Sequence, residues 1–507
     1  MRTSQTDPIQ IAEVRCGAGV VGVTFCPGKS GPSVFGSPWA RDLAMDLAEL
    51  SRWSPSAILT LMKPHELDGL GVSDLGQAVR QAGIRWLHAP IKDVGVPNAG
   101  FEARWALLGH LLRQELLAGR KVLVHCRGGR GRAGMIAARL LVELGEDPEK
   151  AISQVRAVRP GAIETRAQED HVRSVRPVGS HDRADRIWGC LLGGAVGDAF
   201  GYAVEFDRLA RIREKHGPEG LTEPELTDGK FVVSDDTQMT LFTAEALARA
   251  SEPDDFLEEC RAAYLRWHET QSGRRPPSAT GLLRHDCLWA RRAPGMTCMS
   301  ALAAGGNGSP ERPLNNSKGC GGVMRTAPIG LMGWGEEVAF DLGARASALT
   351  HGHPSGYFSG GAMAAMVATL VTGDDLLHAA RKALTLLSDK AGAEETFKAL
   401  AAALETAEST SNRAGVADGA LGEGWVGEEA LAIGVYAAFV ADDFADAMKI
   451  AANHDGDSDS TASIAGQLYG AWKGTADIPW EWVERLDVLD AICEAAVPLL
   501  KGERDAN

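Results

Sequence analysis

Cys126 ends the apolar run Lys121-Val-Leu-Val-His125, and Arg132 follows after five residues, three of them glycine (Gly128, Gly129, Gly131). A strand that runs through a glycine-rich loop into a helix turns successive backbone N–H groups toward an anion, and the helix N-terminus adds partial positive charge. That field favours negative charge on sulfur, which makes Cys126 a candidate thiolate nucleophile. Arg132 can grip two phosphate oxygens with its planar fork. Asp93, in Pro90-Ile-Lys-Asp93-Val-Gly-Val-Pro97, sits on an upstream loop able to fold over such a site and protonate a leaving oxygen.

A second constellation is unrelated. Val204-Glu205-Phe206, Ser234-Asp235-Asp236-Thr237 and Gly456-Asp457-Ser458-Asp459-Ser460-Thr461 follow one another in the chain. An acidic pair and an Asp-x-Asp-Ser offer only oxygen donors, which is what a pair of hard cations such as Mg²⁺ requires, and Mn²⁺ suits the same ligands. The motifs lie far apart in sequence, so only a fold can unite them.

The elements that must position these residues differ between the two halves. Residues 1–175 alternate strand-like and helical segments: strands near 57–62, 86–91 and 121–125, helices near 72–82, 101–118 and 133–145. Such alternation predicts an α/β layer structure with a mainly parallel sheet. Residues 176–185 fall in a stretch with Pro and Gly and no apolar periodicity, and read as a linker. From 186 to about 505 the pattern is helical throughout, predicting an all-α domain. Gly189, Gly193, Gly197 and Gly201 recur every four residues on one helical face. Each glycine costs up to about 1 kcal/mol relative to alanine in a helix, so four in register predict another backbone pressed against that face. Two long loops, 272–281 and 305–322, are rich in Gly, Pro and Asn, a composition and length more often functional than idle.

Charge follows the same division. Residues 1–180 hold 23 Lys+Arg against 18 Asp+Glu, and the remainder 29 against 49. A basic first part suits an anionic substrate and an acidic second part suits bound cations. Nine scattered cysteines without a Cys-x-x-Cys pair argue against a disulfide framework or structural zinc. The N-terminus shows no apolar signal segment, and residues 187–204, although nearly uncharged, contain Asp198, so they read as a buried helix and not a membrane span. The expected compartment is cytoplasmic, with no membrane partner.

The phosphate-binding segment resembles the protein tyrosine and dual-specificity phosphatases, in particular their kinase-associated phosphatase branch. The resemblance rests on His125-Cys126-x5-Arg132, Phe25-Cys-Pro-Gly-Lys29, the Asp93 loop and Val158-Arg-Pro-Gly-Ala-Ile-Glu-Thr165 with Gln168. It implies an α/β cysteine-phosphatase fold, catalytic Cys126, Arg132 and Asp93, and a water-orienting Gln168. The loop Arg127, Gly128, Gly129, Arg130 and Gly131 would bind the phosphorylated substrate, the two arginines adding positive charge to the rim. Such enzymes commonly carry Ser or Thr after the arginine; Ala133 stands there, which predicts slow breakdown of a phosphoenzyme.

The helical part resembles the ADP-ribosylglycohydrolase family, which includes the dinitrogenase reductase-activating glycohydrolases. The segments that carry it are Gly193–Glu205, Ser234–Thr240, Lys318-Gly-Cys-Gly-Gly-Val-Met-Arg325, Leu349-Thr-His351-Gly-His353-Pro354 and Gly456–Thr461. The resemblance implies that Ser234, Asp235, Asp236, Asp457, Asp459 and Ser460 hold two Mg²⁺ ions. Glu205 becomes the acid/base or water-orienting residue. Gly319, Cys320, Gly321, Gly322, Met324 and Arg325 would wrap the ADP-ribose, and His351 would touch it. Asp198 is expected to act in helix packing, and Trp425 in the core.

The combined expectation is a multidomain fusion: a metal-dependent hydrolase that frees ADP-ribose from an acceptor, by default arginine in a protein, joined to a cysteine phosphatase. Two alternatives remain open. The substrate could be phosphate-linked ADP-ribose, such as a modified nucleic-acid end or a phosphorylated ADP-ribose, processed by both sites in turn. The helical domain could instead sense ADP-ribose and regulate the phosphatase.

Overall fold

In the computed structural model, residues 1–33, 36–179, 181–409, 416–417 and 419–501 are described. The chain forms two compact units, Met1–His181 and Asp182–Asn507.

The first unit is an α/β layer. Its strands are β1 (Ala12–Cys16), β2 (Gly19–Phe25), β3 (Ser30–Gly31), β4 (Trp39–Ala40), β5 (Ala57–Thr60), β6 (Arg85–His88) and β7 (Lys121–Cys126). Five of them make one sheet in the order β1-β2-β7-β5-β6, antiparallel only at β1–β2. The β7 strand is central, with Phe25 of β2 opposite Cys126 and Thr60 of β5 opposite His125. Val21, Val23, Ile58, Leu59, Val122, Leu123 and Val124 are fully buried, as a doubly covered parallel sheet demands. The helix Gly131–Glu143 begins at the end of the central strand and is buried along its whole length. The loop between Cys126 and Arg132 therefore lies at the carboxyl end of the sheet, where open α/β folds place their ligands.

The second unit is helical. Its first helix, His181–Tyr202, starts inside the stretch read as a linker and carries the four spaced glycines. They face the helix Ser458–Lys473. A Cβ on Gly189, Gly193, Gly197 or Gly201 would collide with the carbonyl oxygen of Gly470, Gly466, Ala462 or Ser458 respectively. The expected backbone-to-backbone contact is present, one rung per helical turn. This contact sets Asp459 at the start of one helix beside Glu205, just past the end of the other. No described helix is long and apolar enough to cross a membrane, and Asp198 is wholly buried.

Candidate active sites

The Cys126 loop is held from several sides. Gly129 adopts a left-handed φ of +64°, and any Cβ there would strike the β2 backbone at Thr24. Arg159 donates from Nε to Gly129 O at 2.9 Å and from Nη2 to Gly128 O at 3.2 Å. With those carbonyls engaged outward, the loop N–H groups are left for an anion. Arg132 is buried and bonds Glu66 edge to edge, Nη1–Oε2 at 2.8 Å and Nη2–Oε1 at 2.9 Å. Its Nη1 also donates to Ile91 O at 2.9 Å, and its Nη2 lies 2.8 Å from Asp93 Oδ1. Burial alone would raise the Glu66 carboxyl, but the bonds from Arg132 and from the Lys63 backbone hold it below its ordinary value.

Asp93 itself is 56% exposed. Gln168 is fully buried, accepts from Glu164 N at 2.9 Å and donates to Gly95 O at 3.2 Å. A Cβ on Gly131 would come within 3.1 Å of the Gln168 amide, so this side chain adjoins the loop. Behind the cysteine, His125 Nε2 is 2.7 Å from Thr60 Oγ1, which accepts from Trp86 Nε1 at 2.9 Å. Burial pushes His125 down to about 3, keeping the imidazole neutral. Ala133 is buried and offers no hydroxyl. A cleft of about 460 Å³ opens above, bordered by Cys126, Arg127, Arg130, Asp93 and Glu164. Glu66 and Arg159 were not singled out from sequence; the only signal for Glu66 was its place in the first turn after Lys63-Pro64.

The second site gathers six carboxylates. Asp198 accepts from Ser234 N at 2.8 Å and from Thr237 N at 2.9 Å, so it clamps the start of the helix Asp235–Arg249. Ser234 caps the helix, its Oγ accepting from Asp236 N at 3.2 Å, and is fully buried beneath the acidic pair. Glu205, Asp457 and Asp459 bring carboxylate oxygens within 4.8 Å of one another. Asp457 Oδ2 accepts from Cys320 Sγ at 2.8 Å, and Ser460 Oγ is 3.6 Å from the same sulfur.

Two deeply buried oxygens, Glu205 Oε2 and Asp236 Oδ2, have no partner among the described residues. None of the six carboxylates has an ion pair among those residues. Burial, then mutual repulsion with Asp459, raises Asp235, Asp236 and Asp457. The same causes push Asp198 to about 7 and Glu205 to about 10. Unpartnered hard oxygens packed this closely fit a divalent cation, which would supply the missing positive charge.

A cavity of about 200 Å³ adjoins the cluster, bordered on its other side by Gly319, Cys320, Gly321, Met324 and His351. The glycine loop is tied to a neighbouring segment: Cys320 N donates to Trp425 O at 3.2 Å and Gly427 N to Lys318 O at 2.7 Å. Three expectations need correction. Arg325 does not reach the cavity: it is fully buried, donates from Nη2 to Thr350 Oγ1 at 2.7 Å and sits 4.3 Å over the Tyr264 ring. Thr350 in turn meets His351 Nδ1 at 2.9 Å, so Arg325 braces the histidine from behind. Gly322 packs against the Gly356 backbone and not the cavity. Trp425 is 42% exposed at the cavity edge and is no core residue. The segment 293–298, which also borders the cavity, went unnoticed in the sequence; its Gly295 N donates to Asp235 Oδ2 at 3.4 Å.

The ADP-ribosylglycohydrolase family model matches residues 179–506. The chain belongs to this family. A second model, described as the Swiss Army Knife protein DSP-PTPase phosphatase domain, matches residues 46–172. The chain is thus an ADP-ribosylglycohydrolase domain fused to a dual-specificity-type phosphatase domain, both of them hydrolytic enzyme families, and the former a metal-dependent one. ADP-ribosyl-[dinitrogen reductase] glycohydrolase of Rhodospirillum rubrum is 25% identical over 60% of this chain and 91% of its own. ADP-ribosylarginine hydrolase Tri1 of Pseudomonas putida is 28% identical over 60% and 74%. Cyclin-dependent kinase inhibitor 3 of Rattus norvegicus is 34% identical over 27% of this chain, which spans 64% of that relative's length.

Proposed function

We propose that the helical domain releases ADP-ribose from modified arginine in a protein, using two Mg²⁺ ions, and that the α/β domain dephosphorylates a phosphomonoester through Cys126. The observation that carries the first part is the cluster of six buried, uncompensated carboxylates beside a glycine-walled cavity. Asp235, Asp236, Asp457 and Asp459, with the hydroxyls of Ser234 and Ser460, would hold the ions. When bound, divalent ions polarise vicinal ribose hydroxyls and an attacking water. Glu205, on the cavity wall, exchanges the proton at the anomeric carbon's attacking or leaving atom. The surrounding carboxylates stabilise the oxocarbenium-like charge that builds there. Gly319 and Gly321 let the backbone approach the pyrophosphate, and Trp425 offers an exposed ring beside it. Arginine as acceptor is supported by the similarity to an ADP-ribosylarginine hydrolase.

In the α/β domain, Cys126 attacks phosphorus while Arg132, aligned by Glu66, grips two equatorial oxygens. Asp93 protonates the leaving oxygen, and Gln168 orients the water that frees the phosphate. Release of ADP-ribose from an arginine-modified protein, with Mg²⁺, with EDTA and with Asp235→Ala, tests the main reading. Metal-dependent release absent from the variant is expected. No release by a folded, metal-binding chain would sink arginine as the acceptor.

A further inference from the structure

The phosphatase cleft holds more positive charge than one phosphate needs. Lys29 is buried, and its Nζ donates to Arg127 O at 3.2 Å while lying 4.4 Å over the Phe25 ring and 4.3 Å over the Trp39 ring. A carbonyl and two ring faces steady an ammonium without neutralising it. The Arg127 side chain is exposed beside it and has no ion-pair partner among the described residues. Burial first pushes Lys29 down to about 8, with Cys26 and Cys126 opposing and the like charges of Arg41 and Arg127 adding. A buried cation beside like charge is unfavourable unless an anion completes the arrangement.

The other flank differs. There Arg130 adjoins Arg159, but Arg159 is already spent on the Gly128 and Gly129 carbonyls. Arg132 is committed to Glu66 and to the phosphate over Cys126. Among the described residues, the Lys29 side therefore presents to the cleft a buried, preset cation that has no carboxylate partner.

Building on the phosphatase reading above, we propose that Lys29 and Arg127 form a second anion subsite beside the Cys126 loop, for a substrate that carries another phosphate besides the one removed. The substrate class is a small bisphosphate or a phosphomonoester bearing a pyrophosphate, in preference to a singly phosphorylated protein side chain. A phosphorylated ADP-ribose has this chemistry.

The test is calorimetry on the full-length Cys126→Ser protein in EDTA, which binds without turnover. Two ligand pairs are compared: glucose 1,6-bisphosphate with glucose 6-phosphate, and pyrophosphate with phosphate. The second phosphate is expected to lower Kd by about tenfold or more in at least one pair. The pair that responds tells a sugar bisphosphate from a phosphoanhydride. Adding Lys29→Met or Arg127→Ala should shrink that ratio to less than about threefold, and if one variant misfolds, the other decides. Equal affinities within both pairs, or a ratio untouched by the variants, overturns the subsite. Hydrolysis of p-nitrophenyl phosphate by the unmodified chain is measured separately; its absence would sink the phosphatase reading and leave the binding ratios interpretable.

Discussion

Arg132 and Glu66 form a bidentate pair, with both terminal guanidinium nitrogens matched to both carboxylate oxygens at 2.8 and 2.9 Å. The pair fixes the plane of the fork before any phosphate arrives, so its value is alignment. Glu66→Gln keeps the shape but loses one acceptor and the charge. A charge-assisted hydrogen bond contributes about 1.5–3 kcal/mol, so kcat/KM toward p-nitrophenyl phosphate should fall by about tenfold or more. An unchanged rate would mean the loop alone orients Arg132.

Ala133 occupies the position where a hydroxyl would ease departure of the Cys126 thiolate. Rapid mixing with p-nitrophenyl phosphate should show a burst of product followed by slower turnover. Ala133→Ser should raise the slow phase by about tenfold or more, the worth of one hydrogen bond to a charged group, and leave the burst in place. A burst-free wild-type trace would show that phosphoenzyme breakdown does not limit the rate.

Gly201 lies against the carbonyl of Ser458, the residue between Asp457 and Asp459. Gly201→Ala forces a methyl into backbone that cannot yield without moving those aspartates. Overpacking costs about 1–3 kcal/mol. The expected result is a lower Tm together with loss of ADP-ribose release. Gly217→Ala, at a glycine whose Cβ would meet open space, is the control for packing, though its φ of +96° adds backbone strain.

The acidic cluster sets a pH dependence of stability in the metal-free protein. Asp235, Asp236 and Asp457 are raised in the fold, as are Asp198 to about 7 and Glu205 to about 10, above unfolded values of about 4. The folded state then binds more protons than the unfolded chain, so this contribution is present below about pH 4 and is lost as pH rises toward 7 and then 10. In EDTA, the Tm of the helical domain should drop by at least about 3 °C between pH 6 and pH 9. Mg²⁺ should close most of that gap, because binding only the native state stabilises it. A flat EDTA profile would mean the cluster is neutralised by some other means.

Motif chemistry was the legible part of this chain. Cys126 and Arg132 are adjacent in space because a strand, a loop and a helix are adjacent in sequence, Asp93 reaches them from the loop after β6, and the glycine ladder announced its partner through its own cost. Glu66 was opaque because its role exists only once β5 and β7 pair and carry Arg132 beneath it. Arg325 misled for the opposite reason: its motif neighbours do face the cavity, but one helical turn there points the guanidinium into the core. Trp425 looked like packing because exposure of one aromatic depends on a loop whose path no local pattern encodes.

The glycine ladder also has a consequence for ion choice. Helices that touch through side chains can slide or spread by repacking a few rotamers. Here backbone rests on backbone over four rungs, so the helix that carries Asp459 cannot slide against the one that leads into Glu205. The scaffold of this cluster is fixed, and only the rotamers of its carboxylates remain to adapt to the radius of an ion.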